Sequence, residues 1–368
     1  MPSKEQIAAG HRPVRNTRIR TLIPTPQELA ALEPDVTVHA TAAGVEYVRT
    51  PDACFDKLAD FPYQPKYVDI DGLRMAYIDE GPRDAQTLLL MHGQPVWGYL
   101  YRRMIPILLA AGHRVVVPDM MGMGRSDKPI DQRYHDYYTH VGNFEAFLKK
   151  LELKDISLLC QDWGSVIALL VVAEQPALFS RVLLTNGVMV GFVLNPFSIP
   201  EPVELDRAAP DIIQGLFIPH LADPFPVMFQ AWINYTLTAG DSWDPGQFLA
   251  LNCTAGGRPL SPQEEQAYRA PFPSLIYKAG PRTLPSMVCG IGPRNLAGWS
   301  KLMTFTGPFL HVRGSRDTQF GTIELQELHT SLIPGAQGQP HGMLDAGHFI
   351  QDNEGEELAE IFNRFIAS

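Results

Sequence analysis

The sequence predicts an α/β fold: a mostly parallel sheet flanked by helices, interrupted by an inserted helical cap. Three observations carry this prediction. The apolar runs TLLLM (87–91), HRVVVPD (113–119) and ISLLC (156–160) are continuous rather than alternating, as in strands buried on both faces. Helical patterns separate them, which is the βαβ rhythm of a parallel sheet. The rhythm breaks over 190–295, where prolines and aromatics crowd around helical patches such as PVMFQAWINYTLT and SPQEEQAY. It then resumes at GPFLHVRG (307–314).

Taken in order, residues 1–46 read as an N-terminal arm or strap, basic in its first twenty residues and without apolar periodicity there. KYVDI and LRMAYID predict a hairpin turning at Asp71-Gly72. TLLLM stops at His92-Gly93, and a helix over 98–111 ends before Gly112. After HRVVVPD, the loop MMGMGRSDKP lacks the third glycine of a nucleotide loop. Asp119 and Asp127 are expected to brace it by local hydrogen bonds. A helix over 139–151, the strand ISLLC, a helix from after Trp163 to before Pro176, and the strand RVLLTNG follow. A last strand lies near HGML (341–344), and a closing helix over 354–367 places Leu358, Ile361, Phe362 and Phe365 on one face. The expected domains are the extension (1–46), a core (47–189 and 296–368) and a cap (190–295).

Composition narrows the function. With 368 residues, 45% of them hydrophobic, the chain can bury a large core. A net charge of -10 repels nucleic acid and anionic lipid, so neither is an expected partner. No apolar stretch is long enough to span a bilayer, and the start lacks the apolar region of a secretory signal. Cys54, Cys160, Cys253 and Cys289 are scattered, which predicts free thiols in a reducing, cytoplasmic compartment. No Cys/His spacing or HExxH suggests a metal, and no cofactor is expected.

The chemistry starts at Asp162, a carboxylate between the strand ISLLC and an apolar helix. Strand, sharp turn and helix are the context of the hydrolase nucleophile elbow, G-x-S-x-G, which here reads Cys160-Gln161-Asp162-Trp163-Gly164. Aspartate in the serine slot changes the reaction. Serine attacking a saturated carbon would leave a stable ether, whereas a carboxylate leaves an ester that water can cleave. Ester hydrolysis needs a base, and His348 follows the last strand. Asp317 follows the preceding strand and would orient the imidazole. Each residue alone has an ordinary explanation, as a helix cap or a loop histidine. Nucleophile, acid, then histidine, each at a strand end, is the chain order of the α/β-hydrolase triad. Met91-His92-Gly93-Gln94-Pro95 ends an earlier strand and would supply the oxyanion with the N–H of Gln94, alongside that of Trp163.

From about Tyr47 to the C-terminus the chain resembles the haloalkane dehalogenases, in the branch where two indoles grip the halide. The segments that carry the likeness are HGQPVWGYLYRRMIP (92–106), QDWG (161–164), FQAWINYTLT (229–238), AYRAPFPSLIYKAG (267–280), GSRDTQFG (314–321) and DAGHFIQ (345–351). The resemblance implies an α/β-hydrolase fold, no cofactor, and hydrolysis of a haloalkane by water to alcohol, halide and proton. It also implies that Trp163 and Trp232 hold the leaving halide. Indole N–H suits that task because it donates without accepting. Phe229, Val166, Pro285, Val288 and Phe320 would line the substrate pocket. Gln94 stands where relatives usually have Glu or Asn, and Val166 where a larger aromatic occurs in the best-known pattern. A monomer or small homo-oligomer is expected. The rivals are an epoxide hydrolase, for which Tyr235, Tyr268 and Tyr277 are candidate acids, and a non-catalytic hydrolase-like protein. Gln161 and Trp232 favour halide chemistry over epoxide opening.

Overall fold

The structure, a computed structural model, describes residues 24–190 and 225–368. The first 23 residues of the arm and the cap's opening stretch lie outside them. In chain order the elements are α1 (Pro26–Leu32), β1 (His39–Ala40), β2 (Glu46–Val48), β3 (Lys66–Ile70), β4 (Leu73–Glu80), β5 (Thr87–Met91), α2 (Ile105–Ala110), β6 (Arg114–Pro118), β7 (Lys128–Pro129), α3 (Tyr137–Lys150), β8 (Ile156–Gln161), α4 (Asp162–Glu174) and β9 (Phe179–Thr185). The second half adds α5 (Phe225–Thr238), α6 (Pro245–Ala255), α7 (Pro262–Arg269), α8 (Ala279–Thr283), α9 (Pro293–Leu302), β10 (Phe309–Gly314), α10 (Ile323–Leu332), β11 (Gly342–Leu344), α11 (Ile350–Asn353) and α12 (Gly355–Ala367).

Eight strands form one sheet in the order β11-β10-β9-β8-β5-β6-β4-β3. Pairing is parallel from β11 through β6, and antiparallel where β4 joins β6 and β3 joins β4. The β3–β4 turn takes positive φ at both central residues, Asp71 (54°) and Gly72 (86°), the geometry of a type I′ hairpin.

The strand period of two sorts the apolar runs into two cores. Leu89 and Met91 of β5, Val116 of β6, Leu158 and Cys160 of β8 and Leu184 of β9 face one side, where α3, α4 and α9 cover them. Leu88 and Leu90, Val115 and Val117, Leu159 and Leu183 face the other, against α2 and α12. Leu358, Phe362 and Phe365 supply the apolar face of α12, with Ile361 at its margin. An uninterrupted apolar strand is therefore required, because both faces are dry.

Two local expectations are corrected and a third is extended. The segment 98–111 is not one helix: a 3-10 turn, Gly98–Tyr101, precedes α2, and Pro106 sits in the first turn of α2, where a missing N–H costs nothing. The helix after β8 opens at Asp162 itself rather than past Trp163. Asp127 braces its loop by a local bond, its carbonyl accepting the Gly122 N–H (2.9 Å), and its side chain adds distant ones. It accepts from Arg49 (2.7 Å) and from the N–H of Arg74 (2.8 Å). Asp119 does both, accepting from Arg125 N–H (2.9 Å) and, across the chain, from Gly98 N–H (2.7 Å).

The described part of 190–295 is helical, and α9 runs across the 295/296 boundary. Its α7 is tied to the core by buried charges. Arg102 Nη2 lies 2.6 Å from Glu264 Oε1 and 2.6 Å from Asp352 Oδ1, and Tyr268 Oη donates to Asp352 Oδ2 (2.5 Å). Arg103 adds a second contact to Glu264 (2.7 Å). Residues 24–50 also reach this part of the chain. Leu29 and Val48 pack with Ile276 and Tyr277, and Glu33 accepts from the Ile276 N–H (3.0 Å) and the Ser274 hydroxyl.

Candidate active site

The elbow sits where β8 hands over to α4. Asp162 has φ 49°, a left-handed conformation that costs a non-glycine residue about 1–2 kcal/mol. The surroundings hold it there. Its N–H donates to Asn186 O (3.1 Å), and the turn packs tightly on the β5 loop. A Cβ on Gly164 would stand 2.4 Å from the carbonyl oxygens of Met91 and His92. A Cβ on Gly93 would stand 2.2 Å from Asp162 Oδ1. Glycine is needed at both positions for backbone to approach backbone and carboxylate. Cys160, in the place of the motif's first glycine, fits because its thiol is buried in the core below α4.

The carboxylate's two oxygens face different partners. Oδ1 accepts the Gln94 N–H at 2.7 Å. Oδ2 lies 3.6 Å from His348 Nε2. On its other side, His348 Nδ1 is 2.7 Å from Asp317 Oδ2, while Asp317 Oδ1 accepts the N–H groups of Gln319 (3.0 Å) and Phe320 (3.1 Å). Burial pushes the Asp317 carboxyl up, but His348 and those two N–H groups outweigh it and hold it below the usual range. Burial opposes charging His348 as well; Asp317 and Asp162 together overcome it and lift the imidazole to about 10. The two carboxylates on either side of the ring thus favour its cationic form.

Gln161 Nε2 lies 2.9 Å from His348 Nε2. In this orientation the amide donates, which fits the neutral ring protonated at Nδ1. Gln161 Oε1 is buried and has no partner among the described residues, and half a turn of the amide would present it to a protonated Nε2.

Two residues that sequence reasoning passed over hold these parts in register. Asn186, at the end of β9, is fully buried with φ 37°. Its carbonyl receives Asp162, its amide donates to Gly347 O (2.8 Å) and His348 O (3.0 Å), and its Oδ1 accepts Gly314 N–H (2.8 Å). One residue thus joins the loops that carry Asp162, Asp317 and His348, the first through its backbone and the other two through its side chain. The only signal was the turn-like Asn-Gly ending RVLLTNG, which by itself denotes a loop. His92 fixes the turn that carries Gln94: Nδ1–H donates to Gly93 O (2.8 Å), leaving Nε2 to accept the Met120 N–H (3.0 Å). Burial pulls its pKa down, so it stays neutral and bridges both groups.

The other expected site residues fall as follows. The Gln94 side chain donates to Pro281 O in α8 (2.8 Å), so part of its amide is committed to the cap. Trp163, Val166 and Val288 share one buried apolar cluster, against which Phe229 and Phe320 pack, and Pro285 is buried nearby in sequence. Trp232 is buried in α5 and stacked on Phe248 at 4.7 Å. Phe248 meets Phe349 edge-on at 6.1 Å, and Phe349 lies 4.9 Å from the His348 ring. Of the tyrosines considered as acids, Tyr268 is bound to Asp352, and Tyr277 packs with Leu29 and Val48. Trp97, Trp243 and Trp299 are core residues. Among the described residues no group of His, Cys, Asp and Glu is arranged to hold a metal.

An aspartate at the strand–helix corner, with a histidine–aspartate pair aimed at it, defines an α/β hydrolase whose nucleophile position is a carboxylate. A family model for the alpha/beta hydrolase fold matches residues 86–217. More particularly, the chain belongs to the haloalkane dehalogenase family. It is 35% identical over 333 residues to the haloalkane dehalogenase of Psychrobacter cryohalolentis, covering 88% of this chain and 98% of that protein. The Mycobacterium marinum enzyme is 36% identical over 86% of this chain and 98% of its own length. Among solved structures, the tetrameric haloalkane dehalogenase DpaA of Paraglaciecola agarilytica NO2 superposes with a TM-score of 0.68 at 31% identity, over 86% of this chain and 97% of that one.

Proposed function

We propose that the chain hydrolyses haloalkanes to alcohol, halide and proton through an alkyl ester on Asp162. The observation that carries this reading is the division of labour between the carboxylate oxygens. Oδ1 is held by the Gln94 N–H, which leaves Oδ2 to attack. An Oδ2 lone pair forms a bond to the saturated carbon, and the carbon–halogen bond breaks with its electron pair on the halide. Trp163 and Trp232 donate indole N–H groups to that anion, and the apolar surroundings of Phe229, Val166, Pro285, Val288 and Phe320 exclude water. Water then adds to Cγ while His348 Nε2 takes a proton. Charge grows on Oδ1, where the Gln94 N–H already points and Trp163 N–H would join it. The bond from Cγ to the alkoxy oxygen breaks, His348 protonates the departing alcohol, and the remaining water proton is released as the carboxylate re-forms.

Esterification also prepares the base. It removes the Asp162 charge, one of the two that raise the His348 pKa. With burial still opposing the cation, the ring loses its proton more easily when a base is needed. Tyr268 is hydrogen-bonded to Asp352, which weakens the epoxide-hydrolase alternative. A cytoplasmic location is part of the proposal, supported by the unpaired state of Cys54, Cys160 and Cys253. So is a monomer or small homo-oligomer.

A halide-release screen over chloro-, bromo- and iodoalkanes identifies a substrate. One turnover of it in heavy-oxygen water by excess enzyme then tests the scheme. The label is expected in Asp162 and not in the first alcohol released. Label in the alcohol alone means that water attacks the alkyl carbon directly, and the ester is excluded.

A pH prediction follows from His348. Its folded pKa, about 10, exceeds the ordinary 6.5, so its contribution to stability is complete below about 6.5 and is lost as pH rises through about 10. Urea unfolding is expected to show wild type losing stability from pH 7 to 10 more steeply than His348→Phe. Parallel curves would show that the imidazolium does not stabilise the fold.

A further inference from the structure

Arg282 of α8 is 2% exposed, yet among the described residues its hydrogen bonds go to backbone carbonyls. Nε donates to Thr236 O (2.9 Å) and Nη2 to Leu237 O (2.5 Å). Both carbonyls belong to the last turn of α5, where a helix leaves acceptors unsatisfied and its dipole favours a cation. Burial pulls the guanidinium down to about 10, with Asp241 only partly offsetting it, so it remains charged at neutral pH. Burying a cation in this way is costly, and two charge-assisted bonds across elements are what it obtains in return.

The place of the clamp matters more than its strength. Thr236 is one helical turn beyond Trp232. The residue before Arg282, Pro281, accepts the Gln94 side chain at 2.8 Å, and the Gln94 N–H holds Asp162 Oδ1 at 2.7 Å. From Trp232 the contacts return through Phe248 and Phe349 to His348, 3.6 Å from Asp162. The nucleophile, the oxyanion donor, the cap helix and the base thus lie on one closed circuit of contacts, and Arg282 joins α8 to α5 within it.

We propose that Arg282 is a positioning residue for the halide site, clamping the C-terminal turn of α5 so that the Trp232 indole stays directed at the leaving halide. The proposal rests on the halide role of Trp232 given above. It acts on halide binding and leaves ester hydrolysis, which Asp317, His348 and the Gln94 N–H govern, in place. Arg282→Met removes both bonds at similar length; Arg282→Lys keeps the charge but replaces the rigid planar fork with a compact ammonium on a flexible stem, which holds the two carbonyls less firmly.

The test is bromide binding by titration calorimetry, together with KM, kcat and single-turnover ester hydrolysis for 1-bromobutane, in the full chain. Arg282→Met is expected to weaken bromide binding by about tenfold, the factor that ~1.4 kcal/mol represents, and to raise KM. The rate of ester hydrolysis should hold, and Arg282→Lys should fall between the two. General loosening of the fold would instead slow ester hydrolysis as well, and that result overturns the proposal. So does bromide affinity within about twofold of wild type in Arg282→Met while Trp232→Phe is weakened. Unchanged affinity in Trp232→Phe overturns the halide role of Trp232 and the clamp with it; the ester on Asp162 then stands or falls by its isotope test. Where Arg282→Met does not fold, Arg282→Lys is judged by the same criteria.

Discussion

Replacing His348 with phenylalanine is expected to stop turnover after the first chemical step and leave the alkyl group on Asp162. In the proposed route the attack by Oδ2 transfers no proton, so it proceeds without the imidazole. Hydrolysis does need a base, and general-base assistance is worth about 10²–10⁴-fold, so steady-state turnover falls by that factor. Phenylalanine occupies a space already bordered by Phe320, whose ring centre is 5.6 Å from that of His348, and Phe349 at 4.9 Å. The backbone on either side stays fixed by the Asn186 bonds to Gly347 O and His348 O. Mass spectrometry after exposure to a substrate should show one alkyl increment on the peptide holding Asp162. An unmodified peptide, with a substrate that wild type turns over, would rule out the covalent route.

The second large effect concerns stability. Asp352→Asn is expected to reduce the unfolding free energy by about 3–5 kcal/mol, the usual cost of breaking a buried ion pair from one side. Arg102 and Asp352 side chains are 1% and 0% exposed, so the stranded cation cannot turn to water. Burial opposes ionising Glu264, yet Arg102 and the Ser261 N–H pull it down to about 2, so Glu264 remains an anion but must balance Arg103 as well. The exposed pair Arg364–Glu357 is the control, since breaking such a pair costs at most about 1 kcal/mol. Denaturant midpoints for Asp352→Asn and Glu357→Gln make the comparison; equal losses would mean that Asp352 does not bear on the join between α7 and the core. Arg102→Met combined with Asp352→Leu should recover much of the loss, because apolar side chains leave no charge to desolvate.

The parts of the site legible in sequence were those set by local context. Aspartate at the end of ISLLC, followed by Trp-Gly and an apolar helix, reads as an elbow because strand, turn and helix are adjacent in the chain. Asp317 and His348 were legible because each follows its own strand, and the parallel topology brings strand ends together. Trp232 was different: its residue type is ordinary for a helix core, and only the resemblance singled it out.

What the sequence determined alone was which faces are dry and which corner carries the carboxylate, since period-two burial and the strand-to-helix order act between near neighbours. What only the tertiary structure decided was how that corner is held. Asn186 meets Gly314, Gly347 and His348; Arg102 meets Glu264 and Asp352; Arg282 meets the end of α5. Each is a polar side chain whose partners lie dozens to hundreds of residues away along the chain. Nothing in its neighbours' periodicity distinguishes it from a loop asparagine or a surface arginine. Its role arises once packing has removed water and left particular carbonyls and carboxylates as the remaining partners.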